Sequence, residues 1–401
     1  MNIAFFISST RNWISLALVA SLLLIPVTYF LAESNSTSFI PTYFIALGIV
    51  AQLFSQRMMR ILHSNTALLT IITIFFAYML VTNFWQTNLT ATLKPAGYVL
   101  LILTFLVSIP LTSSHYKNFP KLFLQALLVS ATISAILSLW GYFGLDYRTA
   151  DEGRLIAFGG LDNPVMSGLS YGAACIINFS YLTKNRSLFE RYLGSASLLI
   201  ILTALLLTET RSALIGLLVG GVAITFVYRD REPLEHLYAF TKYAVGLILL
   251  VSLAYYVGYF DVLLERSTSF RPEIWKTMYV HLSLPQLITG MGTSTDASVF
   301  YAGELHKHPH SIYFSTVYYG GVIGLVGMLI MFGYALFQMT KLDRSIMIYA
   351  IPLFIYGLIC LSVDGNRIIR KIDFIWLMIW LPIGLSMIRS SSQEIIKELE
   401  D

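Results

Sequence analysis

The run GELHKHPHSIYFSTVYYGGVIGL, residues 303 to 325, holds three of the chain's seven histidines and passes without a linker into an apolar helix pattern. His306, His308 and His310 alternate, so an extended segment would turn all three rings to one side, as a zinc site requires; Glu304 is the one carboxylate close by. Pro309 suggests a different use. It disfavours helix at His308 and suits a first helical turn, which places His310 at the N-terminus of the helix that follows. The positive end of the helix dipole disfavours a protonated ring there, so His310 would stay neutral and able to accept a proton. A plain polar helix entrance fits the same residues.

Four further stretches concentrate cations between apolar runs: LDYRTADEGRLIAFGG with Arg148 and Arg154, TETRSA with Arg211, ERSTSFRPEIWK with Arg266, Arg271 and Lys276, and VDGNRIIRK with Asp364, Arg367, Arg370 and Lys371. Any one of these could be an interfacial side chain snorkelling to lipid phosphate. Arg211 has almost no loop to lift it into water, so it calls for an anionic partner at the membrane surface. Several guanidiniums together suit a pyrophosphate, because each offers planar, paired donors to phosphate oxygens. A proton acceptor beside such arginines points to transfer chemistry on a lipid-linked phosphate.

The elements that must position these groups are membrane helices. Of 401 residues 56% are hydrophobic and 12% charged, and the mean hydropathy is +0.71. A net charge of +4 gives no case for a nucleic-acid partner. Cys175 and Cys360 both lie in apolar runs and read as small buried hydrophobes. Apolar segments predict an all-α fold of twelve spans, near 12 to 31, 38 to 55, 65 to 84, 95 to 112, 122 to 143, 163 to 183, 192 to 209, 212 to 228, 242 to 260, 311 to 338, 345 to 363 and 373 to 388. The first reads as a retained helix and not as a cleaved signal. Residues 1 to 401 thus form a single polytopic domain, with residues 261 to 310 as a long loop between the ninth and tenth spans.

Placing the N-terminus inside puts fifteen of the 26 lysines and arginines on the inner side, which favours both termini in the cytoplasm. The four cation clusters and the histidines then share the outer face. In the long loop, RPEIWKTMYVHL spaces Ile274, Met278 and Leu282 four apart behind Pro272, the pattern of a short helix lying on the membrane. TGMGTST reads as a turn, with a weaker reading as a phosphate loop. Gly216 with Gly220, and Gly320 with Gly324, have the spacing of close helix packing, which could also draw Arg211 and His310 together.

Arg271, Trp275, GMG, HPHS and GGVIGLVG, preceded by TETRSALIGLLVG and RLIAFGGLDNPVMSG, resemble the O-antigen ligase and polymerase superfamily of bacterial inner-membrane glycosyltransferases. The likeness covers residues 150 to 330; Ser311 stands where many members have Asn. It implies a GT-C-like, metal-independent enzyme without a cofactor, taking a glycan from undecaprenyl pyrophosphate on the periplasmic side of the inner membrane. Arg211 and Arg271 match arginines that hold the pyrophosphate, and His310 the histidine that activates the acceptor. Asp364 matches an acidic position, while Arg148, Arg154, His308 and Arg367 are secondary candidates; no role falls to His306. Within the superfamily the pattern fits best an O-antigen ligase acting on lipid A-core among membrane lipids. A polymerase lacks the His-x-His entrance, and a protein O-oligosaccharyltransferase resembles a longer chain with a periplasmic C-terminal part. A flippase would need ionisable residues at mid-span.

Overall fold

A computed structural model describes residues 3–32, 39–53, 55–85, 90–144, 153–183, 187–227, 271–280, 282–301 and 303–388. In chain order the elements are α1 (Ile3–Leu31), α2 (Phe39–Val50), α3 (Gln56–Ser64), α4 (Thr66–Val81), α5 (Thr90–His115), α6 (Phe119–Gly144), α7 (Pro164–Leu182), α8 (Leu188–Leu207), α9 (Arg211–Val227), α10 (Arg271–Tyr279) and α11 (Leu284–Thr289). A small hairpin of β1 (Val299–Tyr301) and β2 (Glu304–His306) follows, then α12 (Ile312–Met339), α13 (Arg344–Asp364), a π-helical turn at Trp376–Trp380 and α14 (Leu381–Ser386).

Eight of the described helices are long and apolar enough to cross a membrane, and three shorter apolar helices accompany them. Together they fall on eleven of the twelve expected segments; the twelfth, near 242 to 260, lies outside the described residues, as does Arg148. The chain is an all-α, multi-pass membrane protein. Helix α3 was not expected. Its Met58 and Ile61 are buried while Arg57 is exposed, and Ser55 caps it by accepting from the Met58 N–H at 3.1 Å.

Helices α7, α9 and α13 pack at backbone distance. A Cβ on Gly216 would come within 2.4 Å of the Cys360 sulfur, and one on Gly220 within 2.7 Å of Ile176 Cδ1. Tyr356 fills the space these glycines leave and donates its hydroxyl to the Leu169 carbonyl at 2.8 Å, as a polar group inside an apolar bundle must. Cys175 and Cys360 are free and buried. Gly320 and Gly324 instead receive Met79 of α4. Both glycine pairs are therefore packing sites, but against different neighbours.

That expected single span from 311 to 338 is broken. Gly321 has φ 66° and ψ −171°, so α12 kinks there. The N–H groups of Met291 and Gly292 donate to the Tyr318 and Tyr319 carbonyls at 2.9 Å. A Cβ on Gly290 would meet the Tyr319 oxygen at 2.3 Å. The TGMG turn is a splice that satisfies the interrupted helix, and its amides are not held open for a phosphate.

Candidate active site

The end of α13 organises the site. Asp364 is its last residue, with a side chain 5% exposed, and accepts from both the Arg271 guanidinium and the Ser212 hydroxyl. Ser212 is the second residue of α9, so this carboxylate ties the Arg211 turn to the start of α10. A buried carboxylate is retained at such a place only when it is paired and hydrogen-bonded. Gly365 then lies directly on the start of α12: a Cβ there would come within 2.5 Å of the Ile312 nitrogen. The α8–α9 turn, α10 and the entrance to α12 therefore meet at one end of the bundle.

Trp275 fixes the histidine segment. Its indole N–H donates to the Pro309 carbonyl at 2.6 Å, and its ring stacks on Phe314 at 4.0 Å. Ile274 and Met278 form the buried side of α10. His306 ends the hairpin opposite Val299. The His308 and His310 rings lie 4.1 Å apart, and those of His306 and His310 6.3 Å apart. The rings gather because the chain turns, since only His306 lies in a strand. His310 has φ 55°, and its N–H points to His308 Nδ1 at 3.3 Å, which requires that nitrogen to be unprotonated.

Helix α12 starts later than its sequence suggests. Ser311 is the N-cap, its hydroxyl accepting from the Phe314 N–H at 3.4 Å, so Pro309 and His310 precede the helix. Serine directly before the first apolar residue is the stronger start signal, and asparagine would cap equally well. The neutrality expected of His310 therefore has another cause. Burial pulls its ring down to about 4, with Arg271 and His306 adding to the effect. Burial brings His308 to about 3, aided by His310, Arg370, Arg367 and His306.

Other candidates fall into place around this core. Arg211 opens α9 and is exposed. Arg154 donates from Nε to the Thr208 carbonyl at 2.9 Å, where the Leu155 N–H also bonds Leu207; this pins the preceding loop onto the α8–α9 turn. The Asn-Pro pair beyond it is a helix start: Asn163 accepts from the Met166 N–H at 2.9 Å, with Pro164 at the first helical position. Arg367 donates to the Thr295 carbonyl at 2.8 Å and covers the Tyr319 ring at 4.5 Å, so it braces the chain after α13. Arg370, not singled out from the sequence, bonds Asp373 at 2.6 Å and adds its charge near His308. Nothing but its place among the outer cations could have signalled it. Ser212 was likewise missed, because a lone serine beside an arginine carries no pattern. The three histidines are the set most able to approach a metal, yet His308 Nδ1 is already engaged, and among the described residues no group of three or more His, Cys, Asp or Glu is arranged to hold an ion.

Fold and site together define a polytopic helical membrane protein in which guanidiniums and an unprotonated imidazole share one end of the bundle. Residues 196–329, which contain Arg211, Arg271, His308 and His310, match the family model described as O-antigen ligase. An O-antigen ligase of Pseudomonas aeruginosa is 27% identical over 315 residues, which covers 78% of this chain and 75% of that protein. The chain is thus similar to O-antigen ligases, both over the region that carries this site and over most of its length.

Proposed function

We propose that this enzyme transfers a polysaccharide from undecaprenyl pyrophosphate to a sugar hydroxyl of lipid A-core, at the periplasmic face of the inner membrane with both termini in the cytoplasm. The observation that carries this reading is the neutral His310 ring held beside Arg271 at the bundle end that also bears Arg211. In the mechanism His310 takes the acceptor's proton as its oxygen attacks the anomeric carbon opposite the phosphate, and the configuration inverts. Arg211 and Arg271 stabilise the charge that gathers on the departing pyrophosphate, an effect worth about 3 kcal/mol per preorganised donor. Asp364 keeps Arg271 oriented while leaving donors of its five-N–H fork for the phosphate.

A base near pH 4 is weak, and the donor itself supplies a remedy. Part of the depression of His310 comes from Arg271; a pyrophosphate on that guanidinium offsets its charge and raises the basicity of the ring only when donor is bound. Guanidiniums supply the charge that a metal would, and pyrophosphate departs without a general acid, so the reaction proceeds without a metal.

Deleting the gene and analysing lipopolysaccharide beside carrier-linked glycan tests the assignment. Loss of a ligase leaves core without long chains while polymer accumulates on the carrier, and purified enzyme added back with excess chelator restores transfer. Core bearing a single repeat unit would instead identify a polymerase, and restoration only with an added divalent ion would return the three histidines to a metal site.

A further inference from the structure

Among the described residues, two that are not glycine have positive φ: His310 and Glu209, the latter at 51°. Thr208 is the C-cap of α8, so Glu209 occupies the next position, where the left-handed backbone is ordinarily supplied by glycine. Its N–H closes onto the Leu206 carbonyl at 2.9 Å. A β-carbon is carried there against a steric penalty that glycine would avoid. Helix dipoles do not account for the acid. The C-terminus of α8 disfavours it and the N-terminus of α9 favours it, so the two offset.

Its surroundings are cationic. Arg154, bonded to the adjoining Thr208 carbonyl, presses its charge on Glu209 and opposes the upward shift that burial produces. Arg211 follows two residues later, and through Ser212, Asp364 and Arg271 the same turn is tied to the second proposed phosphate cation. A carboxylate beside a pyrophosphate site repels the ligand unless a cation offsets it, as Arg271 does for Asp364, or it meets a part of the ligand other than phosphate. Sugar hydroxyls are donors, and a carboxylate can accept two of them at once. On the donor reading the two left-handed residues would serve the two halves of one reaction, His310 the attacking hydroxyl and Glu209 the sugar being moved.

We propose that Glu209 binds the donor's glycan, its carboxylate accepting hydrogen bonds from hydroxyls of the sugar joined to the pyrophosphate. The assignment rests on the donor reading above. It competes with a purely structural role in which Glu209 and Arg154 clip the loop to the turn.

The test uses the full chain purified in detergent, with Glu209→Gln and Glu209→Gly variants. Two probes are bound to each: bare undecaprenyl pyrophosphate, and the glycan-bearing carrier extracted from cells in which it accumulates. Both variants are expected to weaken binding of the glycan-bearing carrier about tenfold, the loss of a hydrogen bond to a charged group. Bare carrier should bind as well as before or more tightly, since a repelling charge has gone. Glu209→Gly should also keep or raise the melting temperature, because glycine suits the left-handed backbone. Equal weakening of both carriers, or no change in either, overturns the assignment, as does loss of glycan selectivity only in variants that unfold early. Wild-type protein that binds neither carrier sinks the donor reading itself, and this assignment with it.

Discussion

His310 combines two features seldom found in one residue. Its backbone is left-handed, a region in which His, Asn and Asp are the most tolerated side chains after glycine, and its ring is kept neutral by burial and by Arg271. The turn that creates this posture is held from outside by the Trp275 bond to Pro309, so little of the fold depends on the imidazole. His310→Gly relieves the steric cost of the β-carbon, about 1 kcal/mol, which roughly cancels the entropy glycine adds to the unfolded chain. Its melting temperature should match wild type, while His310→Ala, with a β-carbon and no ring, should melt slightly lower. Transfer should fall by about 10²- to 10⁴-fold in both, the range expected when a general base is removed, with bare carrier binding retained. Near-normal transfer by well-folded His310→Gly would remove His310 from the mechanism.

At the scale of elements, the kink in α12 shows why part of the site was hidden from the sequence. A glycine-rich apolar run reads as one helix because hydropathy is blind to φ, and GMG reads as a loop because glycines are. Neither reading foresees that the loop's amides close the gap in the helix. Gly321 is held at a backbone available essentially to glycine alone, and a Cβ there would lie 2.1 Å from the Ile288 carbonyl oxygen. Gly321→Ala should therefore cost about 3 kcal/mol or more and loosen the chain leading to the hairpin. Gly333→Ala, in the same helix with nothing within 4 Å of its Cβ position, should be neutral or stabilising by up to about 1 kcal/mol. Thermal unfolding of the two variants in detergent checks the contrast; equal melting temperatures would mean the splice is dispensable. Legible from sequence were features with a period or a propensity, such as the spans and the buried Ile274 and Met278 of α10. The reading of Pro309 as part of the first turn set His310 inside the start of α12, because it weighed the proline over the Ser311 cap that follows.

Across the whole molecule, residues from positions 154 to 370 converge because α8, α9, α12 and α13 each present one terminus to the same end of the bundle. Sequence could place Arg211, Arg271 and His310 on one side of a membrane, but the meeting of their segments at Asp364 and Gly365, through Ser212, Arg271 and Ile312, is a fact of packing between distant helices. That arrangement makes a prediction about Arg211. Asp364 already holds Arg271 in register, whereas Arg211 is exposed at the start of α9 and, on the proposed reading, would meet the ligand with its own fork. Lysine preserves the charge but is a compact point donor that cannot bridge two phosphate oxygens as a planar guanidinium does. Arg211→Lys should therefore lose about tenfold or more in transfer, and Arg211→Ala more again, by roughly the further cost of a charged hydrogen bond. The loss should appear as weaker binding of undecaprenyl pyrophosphate, with lipid A-core binding unchanged when each substrate is varied in turn. If Arg211→Ala weakens only the acceptor, the arginine belongs to a phosphate of lipid A-core, and the donor must be sought at Arg154 and Arg271.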